Sequence, residues 1–107
     1  ALLRGLPLGE VNYDHRDRGT RVENDRLAAL AEILRLESEL IEMAWHDAPA
    51  SLTLITLVSP EMPALAVSTS LERELAFVVS HTIHHNAIIG IMAKWLGTAV
   101  PADFGYA

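Results

Sequence analysis

The chain has 107 residues, which limits it to one small domain, and 50% of them are hydrophobic, enough for a real core. Its net charge of −6 argues against nonspecific nucleic-acid binding, because the basic cluster Arg16, Arg18 and Arg21 is largely cancelled by Asp14, Asp17 and Glu23. Cysteine is absent, which excludes disulfides, thiolate metal sites and cysteine nucleophiles.

No apolar run reads as long enough for a membrane span, and no basic-then-apolar segment opens the chain, so the expectation is a cytoplasmic protein without membrane contact. Residues 1–20 hold Gly5, Pro7, Gly9 and Gly19 among charges, the composition of a loop. Residues 1–5 read as the last turn of a helix whose body precedes Ala1, with Gly5 as its left-handed stop. Thr20 and Glu23 form a capping box, and 22–45 follows as a helix with Leu27, Leu30, Ala31, Leu34, Ile41 and Ala44 at helical spacing. Glu32, Arg35, Glu39 and Glu42 give it a solvated side.

Asp47, Ala48 and Pro49 end that helix, and 51–59 and 64–69 turn to Leu, Thr, Ile and Val, the residues of two short strands. They predict a β-hairpin between two helices. The second helix is predicted over 70–97, with Thr69 and Glu72 as its capping box and Gly97 as its stop. It is apolar nearly all round, so burial on most sides is expected, with Phe77, Met92 and Trp95 in the core. One apolar stripe on the first helix cannot cover it. The missing cover is expected from a partner chain, which makes a homodimer, or from sequence upstream of Ala1. The tail brings Val100, Phe104 and Tyr106 back over the helices.

Three of the five histidines, His81, His84 and His85, sit on this helix. His81 and His85 fall about 40° apart on the helical wheel, whereas His84 lies roughly 60° to the other side of His81. Two imidazoles four residues apart bring their ring nitrogens close enough to share a divalent ion, and nitrogen ligation leaves Zn, Ni, Cu and Fe open. A third ligand is needed; His15, His46 and, less well placed, Glu74 are the candidates within the chain. The alternative is structural: histidines that pack or hydrogen-bond in a core or across a two-fold interface, in a non-catalytic oligomerisation or binding module. For His15 loop packing, and for His46 a partnership with the helix dipole, are the simplest roles. A pH-responsive module has only the number of histidines in its favour.

Arg73 to Gly90, RELAFVVSHTIHHNAIIG, together with NYDHRDRGTRVE and LGTAVPADFG, resembles the DinB/YfiT-like superfamily of metal-dependent four-helix-bundle proteins. The resemblance implies a mainly α fold, an up-down helical bundle lacking its N-terminal helix in this chain. It implies a metal held by three histidines, two of which map onto His81 and His85, with His84 beside the site; Glu74, two turns or about 10 Å from His81, is expected behind the ligands and not among them. The third has no counterpart here unless His15 or a second subunit supplies it. The resemblance further implies Zn, Ni, Fe or Mn as the ion and a small-molecule substrate. The chemistry implied is thiol transfer or hydrolysis, with a low-molecular-weight thiol such as bacillithiol or mycothiol activated by the metal.

Overall fold

The computed structural model describes residues 1–106, which divide into two compact units, Ala1–Ser68 and the segment from Thr69 onward.

In the first unit, α1 (Leu2–Gly5) runs into a 3₁₀ turn at Leu6–Leu8 with Pro7 in its opening positions, where a missing N–H costs nothing. The left-handed stop falls at Gly9 (φ 66°), not at Gly5, which stays right-handed (φ −83°). Gly5 is glycine for a different reason: a Cβ there would run into the Glu10 carbonyl. The turn delivers β1 (Glu10–Asn12), a strand inside the stretch expected to be loop. It pairs in parallel with β2 (Ser51–Thr56), matching Val11 to Leu54. Val11 is 0% exposed, and with Leu2, Leu6 and Leu52 it makes up the small core.

The sheet order is β1-β2-β3, with β3 (Leu65–Ser70) on the far side of β2. Residues 51–70 therefore do not stand as an isolated hairpin between helices; they are two strands of a three-stranded mixed sheet. The expected mainly α, up-down bundle is corrected accordingly. Periodicity missed β1 because it is three residues long with one apolar side chain, and its partner is some forty residues away in sequence.

The helix expected over 22–45 is two helices. Thr20 and Glu23 do build a capping box, but on the short α2 (Arg21–Asn24). Asp25 then takes an extended conformation and its carboxylate accepts from the N–H groups of Leu27 and Ala28, starting α3 (Arg26–Glu42) afresh. Beyond α3, the Trp45 indole N–H donates to the Leu40 carbonyl at 3.1 Å, satisfying an end group the helix cannot satisfy itself. His46 lies in the following 3₁₀ turn beside Asp47. On α3 the polar side is laced by Arg35, which bonds Glu32 and Glu39. Leu27, Leu30, Leu34 and Ile41 are exposed on the same helix.

The second unit is α4 (Leu71–Trp95) with its tail. Its N-cap is Ser70, whose hydroxyl accepts from the Arg73 N–H, one residue later than the predicted Thr69. Thr69 instead donates its hydroxyl to Glu74 at 2.6 Å. The tail returns along the helix: Phe104 packs on Gly90, and Gly105 (φ 80°) sits against the Ala87 backbone.

Candidate binding face

A run of i, i+4 neighbours organises one side of α4. Glu74, 0% exposed, accepts from Arg73 Nη1 at 2.7 Å as well as from Thr69. Arg73 lies over the Phe77 ring, 5.4 Å from guanidinium carbon to centroid. Phe77 stacks on His81, centroids 5.3 Å apart and planes 20° apart. His81 meets His85 edge-on at 4.5 Å, with the two Nε2 atoms 3.0 Å from each other. The helical period alone places these four residues in line, because side chains four apart stand one above the other.

His84 is close but outside the pair, its ring 6.4 Å from His81 and 5.8 Å from His85. His15, in the other unit, is exposed and its backbone N–H donates to Asn12 Oδ1. Among the described residues no three histidine, aspartate or glutamate side chains gather as a metal-holding group. Glu74 is committed to Thr69 and Arg73, two turns from His81. The expected metal centre is therefore corrected: two imidazoles bonded to each other, with no third donor, do not amount to the three-ligand site the chemistry needs.

The surroundings differ from expectation too. His81, His84 and His85 are all exposed, as are Phe77, Val79, Ile88, Ile89, Ile91, Met92 and Trp95. The side chains read as core face solvent, with Trp95 87% exposed. Six positions, Phe77, His81, His84, Ile88, Ile91 and Trp95, repeat at intervals of four and three along one stripe. That is the spacing of a helix-pairing seam. It was readable in the sequence, but the histidine spacing and the assumption of burial hid it. Roughly 140° round the helix, Gly90 is covered by Phe104, so the chain's own tail leaves the stripe open. An apolar depression of about 460 Å³, lined by Leu75, Ala76, Val79, Ser80 and Ile83, also lies away from the stripe.

By length and composition α4 is also long and apolar enough to cross a membrane, contrary to the expectation that no run reaches that length. A core helix of a soluble protein passes the same test, but such a helix is mostly buried, whereas the apolar side chains of α4 are mostly exposed.

The decisive comparison is with FK506-binding protein 5 of Rhizopus delemar, 35% identical over 98 residues, 91% of this chain and 26% of that protein. The likeness points to the FK506-binding proteins. It overturns the DinB/YfiT-like resemblance, and the metal-dependent thiol transfer or hydrolysis inferred from it goes as well. The chain spans about a quarter of the length of the curated relative it matches. No protein-family model matches the chain, and no solved structure matches it.

Proposed function

We propose that this chain is a binding module related to part of an FK506-binding protein, and that it works by protein association through α4. One observation carries the reading: a helix of 25 residues keeps its apolar side chains, including Ile91 at 68% exposure and Trp95, in water. Contiguous exposed apolar surface on this scale is costly unless a partner covers it. The exposed Leu and Ile side chains of α3 support the same reading. Of the two activities the likeness suggests, prolyl isomerisation and binding, the geometry favours binding. Twisting a prolyl amide calls for an enclosed, water-excluding site. The depression on α4 is shallow, and that near His15 is lined by Arg4, Glu10 and Asp17.

The test uses the purified chain at low concentration. An environment-sensitive apolar dye should bind it, and Ile91→Glu with Trp95→Glu should abolish most of that binding while the far-ultraviolet spectrum stays unchanged. In parallel, a proline-containing peptide is assayed for isomerisation and FK506 is titrated against tryptophan fluorescence. Accelerated isomerisation, or dye binding indifferent to both substitutions, would overturn the association reading.

A further inference from the structure

We draw no further inference here: the strongest candidate, the exposed stripe of α4 from Phe77 to Trp95, is an unpartnered helix face, and nothing in the structure shows what covers it.

Discussion

His81 and His85 hydrogen-bond to each other through their Nε2 atoms at 3.0 Å, on a face of α4 that is open to solvent. One ring must carry the Nε2 proton and the other must present a bare Nε2, so in the neutral pair the two rings are different tautomers. Nitrogen chemical shifts of the two imidazoles should show one Nε2–H ring and one Nδ1–H ring in the neutral form. Because the pair is exposed, His85→Ala should change unfolding free energy by no more than about 0.5 kcal/mol. A loss several times larger in chemical denaturation would mean that the histidines are structural supports.

Glu74 holds the start of α4. It is fully buried, yet its carboxylate accepts from Thr69 Oγ1 and Arg73 Nη1, so the charge is compensated at short range. Glu74→Ala leaves two donors without this acceptor and removes a fully buried side chain. It should cost about 1–3 kcal/mol by urea denaturation. Glu74→Gln keeps the volume and one acceptor and should cost less. It should also loosen Arg73 from the Phe77 ring, visible as a changed ring environment for Phe77 and His81 in proton spectra.

The break between α2 and α3 gives the fold a pH dependence of known sign. Arg21, 2.6 Å from Asp25, and then the Ala28 N–H hold the Asp25 carboxyl below its ordinary value of 3.8. A carboxyl whose folded value is depressed contributes stability that is present above its unfolded value and is lost as pH falls through the folded one. Helical signal from α3 should therefore fall on acidification below about pH 4. Salt should weaken the effect, since Arg21 is exposed. Asp25→Ala should lower the helicity at neutral pH and remove this part of the acid response. An unchanged acid profile in that variant would show that the cap does not control the helix start.

How much of this was legible in the sequence depended on the range of the interaction. Helical period placed His81 and His85 on one face, because that relationship is fixed within a turn of the same chain. β1 was invisible, because Val11 becomes a strand residue only by pairing with Leu54. The interruption at Asp25 was missed for a related reason. The apolar spacing continues past it, and an aspartate in the first turn of an expected helix gives no sign of a break until its carboxylate is seen on the N–H groups of Leu27 and Ala28. The metal site failed at the step from two donors to three. Spacing on one helix delivers a pair, whereas the third ligand is a long-range fact.

The tail makes a sharp pair of opposite predictions at two glycines. At Gly105 the backbone has φ 80°, and a Cβ would fall on the backbone of Ala87, which cannot yield as a side chain tip can. Gly105→Ala should therefore cost about 1–3 kcal/mol where the tail docks, through steric overlap and the left-handed conformation together. The cheapest escape is to release residues 104–106, so amide exchange should accelerate there and Trp95 fluorescence should stay the same. At Gly90 the conformation is ordinary helix, and a Cβ would stop 3.4 Å from Phe104 Cδ1, a contact a ring can absorb by a small shift. Replacing glycine by alanine inside a helix gains about 0.5–1 kcal/mol, so Gly90→Ala should be neutral or stabilising by thermal denaturation. If Gly90→Ala proved as damaging as Gly105→Ala, the Phe104 ring would have to be pinned from its far side, and the tail would be a rigid part of the second unit.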